Sequence, residues 1–206
     1  LLLDLKTPVD LKVAQDLIAD ADVVLENFRP GAMDKLGLGA DAMLASNPRL
    51  VYASVKGFLS GPYENRAALD EVVQMMAGLA YMTGLPGRPL RAGSSVNDIM
   101  GGMFAAIAIL AGLRQRDRTG RGQKVASGLF ENCTLLVAQH MTQSSLTGRE
   151  PPPMAIREPA WGVYDIFETR DDAQLFVAIV TDTQFQNFCD EFDQPALKAD
   201  PALSTN

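Results

Sequence analysis

Apolar positions change their spacing twice within the first 27 residues. LLLDL, residues 1–5, is a short apolar run of strand type. In the following TPVDLKVAQDLIADA, Val9, Val13, Leu17 and Ile18 recur near helical spacing. Thr7 is placed to cap that helix, and Pro8 fits its first position. ADVVLEN returns to a strand pattern, so the stretch predicts β-α-β with parallel strands, because the crossover is a helix. FRPGAMDKLGLG predicts a turn and a short helix from near Pro30, DAMLASNP a second short helix, and LVYASVKGF a third strand. GPYENRAA reads as loop. LDEVVQMMAGLAYMTG has the spacing of one amphipathic helix ending at Gly84, and LPGRPLRAG is rich in turn residues.

A long helix of small and branched apolar residues is predicted from Asn97 to Arg118, buried by its composition. TGRGQKVAS then gives a turn and a strand, and LFENCTLLVAQHMTQSSLTG a further helix. At GREPPPMAIREP three consecutive prolines predict a stiff, extended connector. Beyond it VYDIFETRDDAQLFVAIV predicts a β-hairpin turning at RDDA, and DTQFQNFCDEF an amphipathic helix. The fold class is therefore α/β. Residues 1–148 form part of a Rossmann-like parallel-sheet domain, 149–158 a Pro-rich linker, and 159–206 the start of a smaller α+β domain. The ends, LLLDLKTP and DPALSTN, read as those of a piece of a longer chain.

Composition narrows the functional classes. With 47% hydrophobic and 21% charged residues the chain is of globular type. A net charge of −7 argues against a nucleic-acid partner, which needs a basic face. Cys133 and Cys189 lie far apart with no CxxC spacing and read as reduced thiols of a cytoplasmic protein. His140, the one histidine, has no ligand-spaced neighbour, so no metal is expected. The apolar run 99–113 is too short to span a bilayer and no signal peptide opens the chain, so no membrane partner is expected.

One carboxylate stands out. Asp98 follows the polar SSVN and precedes IMGGMFAAIAILAGL, which is free of charge up to Arg114. Asn97 or Asp98 fits an N-cap of the long helix. The same position suits a functional carboxylate, because helix-start N–H groups favour an anion and Gly101 and Gly102 leave space for a ligand. Such a carboxylate can attack an activated acyl carbon. ENFRPGAMDKLG lies where a strand gives way to a helix, the usual ligand edge of an open α/β sheet, with Arg29 and Lys35 available to phosphate oxygens. It reads equally as an ordinary turn with solvated cations. TGRGQ reads as a helix C-cap turn, and Ser94 and Ser95 lie in no GxSxG elbow.

In order along the chain, DLKTP, ADVVLENFRPGAMDKLGL, NPRLVYASVKGF, LDEVVQMMAGL, NDIMGGMFAAIAILAGL and RTGRGQKV resemble the class III coenzyme A transferase family, which includes formyl-CoA transferase, carnitine CoA-transferase and the 2-methylacyl-CoA racemases. The resemblance is strong over 1–148 and weaker over 156–206. It implies a fragment of an interlocked-ring homodimer fold, no cofactor, and acyl-CoA and a small carboxylic acid as substrates. It implies that Asp98 is the covalent nucleophile, first forming a mixed anhydride and then an aspartyl-CoA thioester. It further implies that Asn27, Phe28, Arg29 and Lys35 serve CoA, with Ala67, Ala68, Leu69 and Asp70 beside the thioester.

Two departures matter. Leu69 stands where the racemases carry a proton-transferring His, which weighs against racemase chemistry. PPPMAIREPAWGVYD lacks the glycine run that covers the reacting aspartate in formyl-CoA transferase. The alternatives are an acyl-CoA racemase of the same fold and a CoA-binding protein without turnover.

Overall fold

The computed structural model describes residues 1–157 and 160–204. The chain divides into two compact units, Leu1–Ile156 and Arg157–Asn206. The first is built on a parallel sheet ordered β1 (Val23–Glu26), β2 (Val51–Lys56), β3 (Gln123–Gly128). Val23 pairs with Val51, and Val51 with Gln123, so the three strands start level. The central strand is buried from Val51 to Ser54 and reads as a near-continuous apolar run, as a strand covered on both faces must.

LLLDL forms no strand. Local turn chemistry wins: the Thr7 N–H donates to the Asp4 carbonyl, and the Asp4 N–H donates to the Asp10 carboxylate. That turn feeds α1 (Pro8–Ala19), where the Thr7 hydroxyl caps the Asp10 N–H as the sequence predicts. The helix faces inward differently than expected. Leu11, Ala14 and Ile18 pack on Leu38, Met43, Leu50 and Tyr52, while Val9, Val13 and Leu17 are exposed. Two residues along a helix turn it by roughly 200°, so the stripe through 11 and 18 lies opposite the one through 9, 13 and 17.

Between β1 and β2 run α2 (Ala32–Lys35) and α3 (Ala40–Ser46). The single amphipathic helix expected before Gly84 is two, α4 (Asp70–Met76) and α5 (Leu79–Thr83). Gly78 separates them at φ 89°, a left-handed conformation that favours glycine. After the long α6 (Val96–Thr119), the segment 129–147 also divides, into α7 (Leu129–Leu136) and α8 (Ala138–Thr147) at the buried Val137.

Helix α6 organises the unit. A Cβ on Gly101 would come within 2.8 Å of Leu129 and 3.2 Å of Val55, and one on Gly112 within 3.1 Å of Val51. Two glycines and the buried Ala105 thus let the helix backbone lie directly on β2. Since Gly101 meets the end of β2 and Gly112 its start, α6 runs antiparallel to the strands. Its first turn therefore lies at the sheet's carboxyl edge. Its last turn is fixed by Arg116, which reaches the Asp22 carboxylate at 2.7 Å and the Arg49 carbonyl at 3.3 Å. The helix is not buried all round: Ile99, Met103, Ile107 and Leu110 are exposed. Its 24 residues are long and apolar enough, by length and composition alone, to cross a membrane, unlike the shorter run 99–113 considered from sequence.

Pro151 accepts a hydrogen bond from the Tyr81 hydroxyl, and Pro153 is buried, so the proline stretch lies against the first unit. Glu158, at the end of the expected linker, and Pro159 lie outside the described residues. The second unit pairs β4 (Val163–Glu168) with β5 (Gln174–Ile179) antiparallel, followed by α9 (Asp182–Glu191) and α10 (Pro195–Ala199). The hairpin turns through Asp172 at φ 60°, as RDDA predicts.

The two adjacent glycines of α6 should respond oppositely to alanine. Gly102 has open space around it, so Gly102→Ala should stabilise by about 1 kcal/mol through helix propensity. Gly101→Ala should destabilise by about 1–3 kcal/mol, because Leu129 and Val55 occupy the space. Chemical denaturation of the two variants checks this.

Candidate functional site

At the carboxyl ends of β1 and β2 a cleft of about 790 Å³ opens. Its walls come from the turn after β1, the end of β2, the loop leading into α4, and the first turn of α6. Gly57 lets these walls meet, since a Cβ there would sit 2.8 Å from that of Ala68. Of the residues singled out from sequence, Asn27, Phe28, Arg29, Ala67, Ala68, Leu69, Asp70 and Asp98 all line this cleft. Lys35 does not. It ends α2 and is exposed, outside this cleft and outside a neighbouring one of about 380 Å³ that shares Phe28 and Arg29. Gly101 and Gly102 do not line the cleft either: the first is a packing contact and the second faces open space.

Asp98 is not a cap. Ser95 occupies that position and makes no side-chain cap bond, which puts Asp98 third in the helix with its side chain exposed. The orphan N–H of Asn97 is satisfied from another element, by Asp70 Oδ1 at 2.8 Å. Asp70 is buried at the start of α4, and its other oxygen accepts from Gln74 Nε2 at 2.5 Å. Arg91 approaches Asp70 at 3.9 Å while its main partner is Glu71 at 2.6 Å.

The expectation that the helix start favours the charged form of Asp98 meets opposing influences in this arrangement. Desolvation pushes the Asp98 carboxyl above its ordinary value, the Asp70 charge adds to the rise, and the Arg91 guanidinium opposes it. One of the N–H groups at that helix start, that of Asn97, is already taken by Asp70. Behind the helix start lies a polar interior. Asn97 is wholly buried, and its amide has no partner at ordinary hydrogen-bond geometry, the Cys133 thiol being the polar group that faces it. Burial pushes that thiol up. Both cysteines are free and buried, and no cluster suited to a metal occurs among the described residues.

Several lining residues escaped the sequence reading. Arg91, Arg66, Lys56 and Ser95 border the cleft, and Gln74 supports it from behind. Asp70 and Gln74 are four apart, the spacing that puts two side chains on one helix face, and this was the available signal. Arg91 sits in a turn-rich segment whose path no periodicity predicts.

Comparison with known proteins agrees with the fold. The family model for CoA-transferase family III matches residues 1–206, and the chain belongs to that family. Acetyl-CoA:oxalate CoA-transferase of Acetobacter aceti is 36% identical over 100% of this chain and 54% of its own length. Succinyl-CoA–D-citramalate CoA-transferase of Chloroflexus aurantiacus is 34% identical over 99% of the chain and 51% of its own. Among solved structures, a CAIB/BAIF family protein from Brucella suis superimposes with a TM-score of 0.83 and 33% identity, over 99% of this chain and 54% of that one. The chain thus spans about half the length of the relatives it matches.

The electrostatics of the cleft give a signed expectation. Asp70→Asn removes a charge that raises Asp98, so Asp98 should titrate at lower pH. Arg91→Gln removes the opposing charge, so Asp98 should titrate at higher pH. Carbon-detected NMR titration of labelled aspartate reads both shifts, and identical curves in all three proteins would contradict this picture.

Proposed function

We propose that this chain carries the reacting carboxylate of an enzyme that moves coenzyme A from an acyl-CoA donor to a carboxylic acid acceptor. The observation that carries the reading is Asp98, open to a cleft at the sheet's carboxyl edge that it shares with Asn27, Phe28, Arg29 and the 67–70 loop. The names of the related proteins, CoA-transferases acting on different acids, support the same class.

The chemistry follows from a carboxylate at that place. Asp98 attacks the thioester carbonyl, the C–S bond breaks, and a mixed anhydride and CoA thiolate result. The thiolate attacks the aspartyl carbonyl, releasing the donor acid and leaving an aspartyl-CoA thioester. The acceptor carboxylate attacks that thioester to form a second anhydride, and the returning thiolate takes the acceptor acyl group and frees Asp98. No net proton is consumed. The upward direction of its pKa makes Asp98 a more basic nucleophile than an ordinary carboxylate. Arg29, Lys56 and Arg66 supply positive charge in a net acidic chain, suited to the phosphates of CoA or to the acceptor.

The racemase alternative is disfavoured by one position. Leu69, exposed on the cleft wall beside Asp70, cannot move a proton.

The test uses the longest protein in which this chain occurs, incubated with acetyl-CoA or succinyl-CoA and then with hydroxylamine. A hydroxamate should form on residue 98, and Asp98→Asn should lose CoA transfer by on the order of 10³-fold or more. Full transfer activity in Asp98→Asn would refute the reading. Because the nucleophile must be ionised, transfer should fall as pH drops through the raised Asp98 value, above the ordinary 3.8.

A further inference from the structure

Gln74 is completely buried and does not line the cleft, yet every group it holds lies on the way to Asp98. Its Nε2 donates to Asp70 Oδ2 at 2.5 Å and to the Ser94 carbonyl at 3.5 Å. Its Oε1 accepts the Ala92 N–H at 2.7 Å. Asp70, held on one side by Gln74, accepts the Asn97 N–H with its other oxygen. One amide and one carboxylate of α4 therefore grip the segment 92–97 at three backbone points, the last of them adjacent to Asp98. That segment has no regular structure before α6 begins at Val96, and its own bonds are short-range, the Val96 N–H donating to the Ser94 carbonyl and Arg91 Nε to the Ala92 carbonyl.

We propose that Gln74 is a positioning residue for the transfer reaction: through Asp70 and the 92–94 backbone it sets the orientation of Asp98 toward the thioester. The proposal rests on the transferase reading given above. An amide is the side chain this place demands. It must accept from Ala92 while donating to a carboxylate and a carbonyl, which neither a carboxylate nor a hydrocarbon does. Buried and fully partnered, such a junction is rigid, and rigidity behind a nucleophile is what keeps it aimed. With Gln74 removed, the Ala92 N–H loses its partner and Asp70 Oδ2 keeps the more distant Arg91 guanidinium at 3.9 Å, so Asp70, held through the Asn97 N–H, can turn about that bond. Because the Asp70 charge helps to raise the Asp98 pKa, that turn also changes the titration of Asp98.

The experiment compares Gln74→Glu, Gln74→Met and the exchange variant Asp70→Asn/Gln74→Glu with the parent protein. The exchange restores a hydrogen bond between positions 70 and 74 with donor and acceptor reversed, and the amide oxygen now at position 70 can still accept the Asn97 N–H. Four quantities are read: melting temperature, CoA affinity by calorimetry, the pH dependence of adduct formation, and the single-turnover rate of hydroxylamine-trapped adduct at residue 98 with succinyl-CoA.

Both single variants should bind CoA within about threefold of the parent while adduct formation slows by on the order of 10- to 100-fold. The acid limb of their pH profile should move, and the exchange variant should be faster than Gln74→Glu without reaching the parent rate, since a carboxylate at 74 leaves the Ser94 carbonyl without that donor. Unchanged adduct formation in both single variants overturns the role of Gln74 and leaves the transferase reading intact. Loss of CoA affinity in step with melting temperature also overturns it, by showing a purely structural part. If the parent protein itself forms no adduct, the transferase reading fails, and this proposal fails with it.

Discussion

The contact between α6 and β2 is the constraint on which the rest of the structure depends. Without side chains at 101 and 112, the helix backbone lies against Val55 and Val51, closer than any larger residue allows. That contact fixes direction as well as distance. The helix runs against the strands, so its first turn emerges at the sheet's carboxyl edge, where open α/β sheets hold their ligands. Arg116 fastens the far end to Asp22 and the Arg49 carbonyl. At about 1.5 Å of rise per residue, Asp98 owes its place partly to packing roughly 20 Å away along the helix, at Gly112.

At the tip of that helix two carboxylates divide the work. Asp70 is buried, accepts two hydrogen bonds, satisfies an N–H in the first turn of a neighbouring helix and places its charge near Asp98. Asp98 is exposed, and its pKa is raised partly by that charge. Two residues of one type thus take opposite roles because their surroundings differ. Arg91, tied to Glu71 and near Asp70, limits how far Asp98 is pushed.

Much of this was legible in the sequence where local chemistry and long-range packing agree. The Thr7-Pro8 start of α1, the strands at 23, 51 and 123, the long helix and the 163–179 hairpin all carried periodicity or turn residues that matched their final surroundings. Failures occurred where one signal was ambiguous. LLLDL looks like a strand, but Asp4, Thr7 and Asp10 close a turn first. Val9, Val13 and Leu17 look like a core stripe, yet the sheet lies on the other side, and composition does not say on which side a sheet will be. Gly78 and Val137 break helices whose apolar spacing continues through them. The site was legible in part for the same reason. Asp98 stood out by contrast with its apolar neighbours, and the turn after β1 by its place in a βα unit. Lys35 looked equivalent to Arg29 in sequence, but it ends the short α2 and does not line the cleft. Gln74 and Arg91 act through partners 18 or more residues away, or through a buried carboxylate, and no spacing rule shows such a contact.

Oxygen transfer tests the central claim most directly. In the proposed sequence the bridging oxygen of the second anhydride comes from the acceptor, and it stays on the enzyme when CoA takes the acyl group. Turnover of succinyl-CoA with an ¹⁸O-labelled acceptor acid should therefore place ¹⁸O in the side-chain carboxyl of residue 98, detectable in the isolated peptide. Turnover with no label at residue 98, or with label on another carboxylate, would contradict the account.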